Sequence, residues 1–449
     1  MLIGRPDVPK EIDDVALAEL LSIGYVTGND TFFRGIRTVD LGEYVELGPE
    51  PSLFRRSVYY EYIHDKADLD REVFFETAFC TLEAAFRRML LTIPAGSQVA
   101  IPLSGGNDSR LLACLCRKFG LRNVVCFTYS RSDSFEVAVS RRVAERLGFE
   151  WHYVPYSPER FIETFDSDCF RAFSEFCTNC NTIPHIQDFI AVRTLLERGV
   201  LKPHAVVVPG HMGDLPAGAK MPREVLAWPV GKCTAAACAE LLYRRYYDLN
   251  PLEKSAAQAV VRKIGSALNP NEIHSPDTMI DRSEQWIMKN RTAKFILNSV
   301  RTYEFFGLDW RIPLGDSQYT ALWYRVPWRD KTPDLLQEFV SRYYFVPYGV
   351  DFAPVAESFR RKGLMGMAKS VVPRKMQPRL SALVRRIFRR NSNDFNAFAA
   401  TARPLYARCG ACPAKLPVRK WDRTSGNAIN SMVARMEVQR SLVRWLRQE

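Results

Sequence analysis

Val99-Ala100-Ile101-Pro102-Leu103-Ser104-Gly105-Gly106-Asn107-Asp108-Ser109-Arg110-Leu111-Leu112-Ala113-Cys114-Leu115 decides the fold. Five apolar residues read as a short buried strand, a glycine turn follows, and Leu111 to Leu115 open a helix. In that context Gly105 and Gly106 let the backbone approach an anion. Successive N–H groups form a concave nest, and the helix N-terminus adds partial positive charge. Ser104 and Ser109 can give hydroxyls to phosphate oxygens, whereas Asp108 would repel bare phosphate. A carboxylate there implies a Mg²⁺ ion between it and the phosphates.

The same alternation continues outward. Val124 to Tyr129 reads as a second strand and Phe135 to Leu147 as a second helix that stops at Gly148. Ile186–Arg198 predicts another helix and Ala205–Val208 another strand. Strand and helix in turn with short joints give an α/β class with a parallel sheet covered on both faces. Upstream, Phe74, Phe75, Ala78, Phe79, Leu82, Ala85, Phe86, Met89 and Leu90 recur at helical spacing, and Pro94-Ala95-Gly96 ends that helix. Residues 230 to 345 read as mostly helical. Residues 1 to about 65 read as strands and turns, too few to bury a core alone, and therefore packed on something else. Three zones result: 1–65, 66–348 and a C-terminal extension, 349–449.

Charge divides the chain the same way. The net +12 is concentrated after residue 359, where 21 Lys/Arg meet 4 Asp/Glu, so the remainder is net acidic. No run approaches the roughly 20 apolar residues that span a bilayer. The start has no basic region followed by an apolar stretch, and eleven scattered cysteines suit a reducing compartment; a cytoplasmic location is expected. In the tail, Leu380, Leu383, Val384, Ile387 and Phe388 share one helical face ringed by Arg385, Arg386, Arg389 and Arg390. Such a helix either packs on the main body with a solvated basic face or docks on an anionic membrane or lipid-linked substrate.

SGG-x-DS after an apolar strand resembles the pyrophosphate loop of the ATP pyrophosphatase superfamily, without the Gly-Lys-Ser/Thr ending of kinase-type loops. Three further segments, in order, resemble its asparagine synthetase branch. They are Phe135-Glu136 to Gly148, Val207-Val208-Pro209-Gly210-His211-Met212-Gly213-Asp214 with Gly218, and Tyr303 to Asp316 around Arg311-Ile312-Pro313. The resemblance covers about 70 to 345 and implies a parallel-sheet PP-loop fold, adenine nucleotide alpha hydrolase-like, with extra helices. It implies that ATP is cleaved between the α and β phosphates while a carboxylate becomes an acyl-adenylate, which ammonia or an amine then converts to an amide.

By this resemblance Asp108 and Asp214 hold Mg²⁺, and Ser104, Gly105, Gly106, Asn107, Asp108 and Ser109 hold the pyrophosphate. Leu103, Tyr129, Pro209 and Gly210 contact the adenosine, mostly through backbone groups. Lys331 either stabilises phosphate charge or is simply solvated. The chain departs from the family pattern at His211, Met212 and Leu215. His211 replaces an acidic group, and its imidazole can still accept a proton from an attacking amine.

Gly24-Tyr25-Val26 through Ile36 and Gly42 look like the last strands of a glutaminase domain. Residue 2 is leucine, not the cysteine such a domain needs, so glutamine hydrolysis in cis is not expected. Nitrogen would come from free ammonia, a separate glutaminase or a substrate amine. A PP-loop tRNA thiolation enzyme and a catalytically inactive scaffold are the rivals. For the first, no RNA-binding module is visible, so nucleic acid is not an expected partner. The pairs Cys177/Cys180 and Cys409/Cys412 admit a zinc reading or two unrelated pairs.

Overall fold

A computed structural model of the chain describes residues 11–49, 54–132, 134–214, 218 and 221–352, with 8, 430 and 432–438. The tail helix at 380–390, Leu215 and the Cys409/Cys412 pair lie outside the described residues. The first element is helix α1 (Asp14–Ser22), followed by an antiparallel hairpin of β1 (Glu43–Leu47) and β2 (Phe54–Val58), then α2 (Arg71–Leu90). Next come β3 (Val99–Pro102), α3 (Asn107–Lys118), β4 (Val124–Ser130), α4 (Phe135–Leu147) and β5 (Glu150–Pro155). Helices α5 (Pro158–Asp166), α6 (Asp168–Cys177) and α7 (Phe189–Glu197) lead to β6 (Val206–Val207). After α8 (Ala235–Tyr246), α9 (Lys254–Ser266) and α10 (Pro276–Ile287), a π-helical stretch (Met288–Ile296) and α11 (Arg301–Phe305) lead to β7 (Asp309–Trp310). Helices α12 (Ser317–Tyr324) and α13 (Pro333–Val340) follow, the latter running into a second π-helical turn (Ser341–Phe345).

Five strands form one parallel sheet in the order β5-β4-β3-β6-β7. The chain first builds outward from β3 on one side, then returns to build β6 and β7 on the other. In open α/β sheets, ligands bind beyond the carboxyl ends of the strands at such a reversal. Here it lies between β3 and β6. Both faces of the sheet are covered, as strand alternation requires. Val99, Ile101 and Leu103 face a large core with α2, α3, α4 and the helices after β6. Ala100, Phe127, Val154 and Val207 face a second core with α1, α5, α6, α7 and residues 432–434 and 438.

The amino-terminal zone differs from its sequence reading. Residues 14–22 are a helix, because Ala16, Leu17, Leu20 and Leu21 fall on one buried stripe and Asp13 caps it through the Val15 and Ala16 N–H groups, both at 2.9 Å. Of the strand-like stretch at 24–36, only isolated bridges form, among them Tyr25 to Thr182. The zone packs on the rest of the molecule: Ala18, Ile23 and Tyr25 belong to the larger core. Glu19, fully buried, fixes it there. Its carboxylate accepts from the Thr27 N–H (3.0 Å) and hydroxyl (2.5 Å), the Tyr247 hydroxyl (3.0 Å) and the Lys263 ammonium (2.9 Å).

Candidate active site

The segment Ser104–Ser109 leaves β3 at the point of reversal and enters α3. Its internal bonds fold it into a closed turn. Ser109 Oγ accepts from the Ser104 N–H (3.0 Å) and Ser104 Oγ from the Gly106 N–H (3.1 Å), with the two hydroxyls 3.1 Å apart. Gly106 is the N-cap of α3, so no side chain covers the helix end. Leu103 is pinned to β4 through the Phe127 carbonyl and the Thr128 hydroxyl. Beneath the loop, Arg110 is buried and donates to Gly105 O (3.0 Å) and Val350 O (3.2 Å). Glu136, at the start of α4, accepts the Gly105 N–H, and burial raises its carboxyl pKa.

The second loop, Pro209 to Asp214, leaves β6 and folds onto the first. A Cβ on Gly210 would lie 3.0 Å from Ser109 N, and one on Gly213 only 2.4 Å from Asp108 Cγ. A side chain at Gly213 would therefore collide with Asp108, and one at Gly210 would press on Ser109 and Asp108. The two loops that carry Asp108 and Asp214 are in contact. Among the described residues, no group of three or more His, Cys, Asp or Glu side chains is placed to hold a metal ion. Two carboxylates from separate loops fit a Mg²⁺ ion that completes its oxygen shell on nucleotide phosphates. Met212 sits at φ 73°, a left-handed conformation costly for a side-chain-bearing residue, in the middle of this loop.

His211 points inward. Its Nε2 lies 2.6 Å from Ser299 Oγ, and burial lowers its pKa against the pull of Asp188 and Asp214. An imidazole in that state is neutral at physiological pH. Asp188 sits at the centre of this region, its two oxygens accepting the hydroxyls of Tyr129 and Tyr303. The Tyr129 ring stacks on Tyr156 with centroids 5.1 Å apart. Its side chain is thus committed to the core.

His185 completes the group, and burial holds its pKa down at about 4. Between the ordinary histidine value near 6.5 and 4, the unfolded chain binds a proton that the folded chain refuses. Stability is therefore expected to fall, by on the order of 2 kcal/mol, as pH drops through that window. Denaturant titrations at pH 7 and pH 4.5 would show it, and His185→Asn should flatten the difference.

Lys331 loses the second of its two readings. It is fully buried, not solvated, with Nζ 4.4 Å from the Trp328 ring centroid and 4.9 Å from that of Tyr324. Burial lowers its pKa to about 8, opposed by Glu284 and Asp281. Its stem lies under Gly218, where a Cβ would come within 2.9 Å of Lys331 Cδ. The Lys331 ammonium thus lies against two rings below Gly218, with no hydrogen-bond partner among the described residues. Cys177 is also buried, with its thiol pKa pushed up, a poor setting for a metal thiolate or a sulfur carrier.

Sequence reasoning missed Arg110, Asp188 and Ser299. Arg110 left a local trace, a charge at the head of an apolar helix. The other two come from distant segments whose spacing carries no signal.

The Asparagine synthase family profile matches residues 81–348, more than half of the chain. The chain belongs to the asparagine synthase family. A probable asparagine synthetase (glutamine-hydrolyzing) of Acanthamoeba polyphaga mimivirus is 30% identical over 165 residues, 33% of this chain. The match spans only 28% of that relative's length. Among solved structures, an NH3-dependent NAD synthetase from Campylobacter jejuni is similar at 18% identity, over 44% of this chain and 74% of that one, with a TM-score of 0.21. A tRNA thiolase from Methanococcus maripaludis is similar at 13% identity (55% and 82% coverage, TM-score 0.23). An NMN synthetase from Francisella tularensis is similar at 12% (59% and 97% coverage, TM-score 0.21). Among the described residues, no helix of this family member is long and apolar enough to cross a membrane.

Proposed function

We propose that the chain is an ATP-dependent, amide-forming ligase. The observation that carries this reading is the seating of the Gly210–Gly213 loop on Asp108 at the reversal of the sheet. In the proposed reaction a substrate carboxylate oxygen attacks the α phosphorus of ATP. The bond to the bridging oxygen breaks, and pyrophosphate leaves into the Ser104–Ser109 nest. Asp108 and Asp214 would hold Mg²⁺, which when bound neutralises phosphate charge. Backbone groups at Leu103, Tyr129, Pro209 and Gly210 would position the adenosine.

The second half-reaction is amide formation. An amine nitrogen adds to the acyl carbonyl, AMP leaves, and one proton must be taken from the nitrogen. His211 is proposed to accept it, because burial keeps the imidazole unprotonated and Ser299 fixes the ring. The nitrogen would arrive as free ammonia, from a separate glutaminase, or on the substrate itself.

Product analysis tests the reading. The protein is incubated with α-labelled ATP, Mg²⁺ and a metabolite extract, with and without ammonium. Formation of AMP and pyrophosphate that depends on the extract supports adenylation, and dependence on ammonium identifies the amine. ADP as the sole product, or no turnover, overturns it.

A further inference from the structure

The pyrophosphate loop is tied to a helix from far along the chain. Asn107, the first residue of α3, donates through Nδ2 to Gln337 Oε1 of α13 at 2.7 Å. Gln337 Nε2 donates to Ser341 Oγ at 2.9 Å, and Ser341 Oγ donates to Asp351 Oδ1 at 3.0 Å. Every donor in this line points away from the loop and the line ends on a carboxylate, so each bond polarises the next in the same sense. Arg110 spans the same gap on the buried side, from Gly105 O to Val350 O and toward Phe352 O. The loop is held to the 337–352 segment by two separate ties, one through a side-chain amide and one through a guanidinium.

The geometry points to Gln337 as a positioning residue: acting through Asn107, it holds the Ser104–Ser109 loop in the form that accepts pyrophosphate. This rests on the reading of that loop as a pyrophosphate site. Chemically, the Gln337 oxygen draws the Asn107 amide toward α13 and fixes the first residue of α3. The orientation of the helix's leading N–H groups follows from that. Without it the loop must be ordered at the moment of binding, and affinity falls by the cost of that ordering.

The test is a double-mutant cycle on the full chain, with Mg²⁺ and inorganic pyrophosphate as the probe, read by calorimetry. Gln337→Ala and Asn107→Ala are each expected to weaken binding about 3- to 10-fold, the size of one lost hydrogen bond. The double variant is expected to be no weaker than the weaker single, because both remove the same link. In turnover, Gln337→Ala should raise KM for ATP with kcat nearly unchanged, a split that general loss of structure does not give. Gln337→Met, of similar length but without the amide, should match Gln337→Ala and guards against a folding defect in the latter. Wild-type affinity in Gln337→Ala and Gln337→Met, or losses that multiply in the double variant, would overturn the inference. If the wild-type chain binds no pyrophosphate, the reading of the loop itself falls, and the inference with it.

Discussion

Asp108→Asn is expected to lower acceptor-dependent formation of AMP and pyrophosphate by about 10²- to 10³-fold, the usual effect of removing one group that stabilises charge in the transition state. The substitution keeps the shape of the side chain, so Gly210 and Gly213 retain the surface they pack on. What changes is the charge. A neutral amide is a weak partner for a divalent ion, and the phosphate charge that builds on the departing group is left poorly balanced. Because the loop contacts persist, thermal unfolding should stay close to wild type while turnover collapses. A variant with near wild-type turnover would show that this carboxylate has no part in the chemistry. Asp108→Ala would blur the result, since it also removes the surface under Gly213.

Glu19→Ala is expected to destabilise the fold by about 3–5 kcal/mol, the cost of breaking a buried ion pair by removing one partner. Four donors converge on that carboxylate: Thr27 twice, Tyr247 and Lys263. Thr27 and Tyr247 are buried, so they would lose a partner without gaining water. Lys263 would retain Asp30, 2.9 Å away, which limits its share of the loss. Lys263→Met should therefore cost less than Glu19→Ala. Denaturant midpoints for the two variants would check both the size and the order. A shift below about 1 kcal/mol for Glu19→Ala would mean that the amino-terminal zone contributes little to the fold.

Strands β3, β4 and β6 were legible because their signals are local, whereas β5 and β7 were not read from the sequence. Val99–Leu103 is an unbroken apolar run before glycines, and Ser134 and Gly148 mark the two ends of α4. The Ser104–Ser109 turn was legible for the same reason, since strand, turn and helix adjoin in sequence. Residues 14–22 were misread because the turn-rich stretch that follows them set the expectation for the whole zone, although Leu17, Leu20 and Leu21 already carry a helical stripe. The solvated alternative for Lys331 fell because the sequence does not show what surrounds a lysine beside Arg329 and Asp330. Only the fold brings Trp328, Tyr324 and Glu284 around it. The Asp188 centre joins β4, the head of α7, α11 and the 209–214 loop, and no periodicity reports a meeting of four distant segments.

Ala18, Ile23 and Tyr25 lie in the same core as α2 and α3, yet the recognisable family stretch begins at residue 81. What ancestry marks as a unit is thus smaller than what cooperates as one. A fragment cut at residue 81 would lose the first half of α2 together with Glu19 and Thr27, and would leave Tyr247 and Lys263 without their shared carboxylate. It would uncover Trp323 and Phe339, on which Phe74 and Phe75 pack. The boundary by which such proteins are classified is the wrong place to divide this one for study.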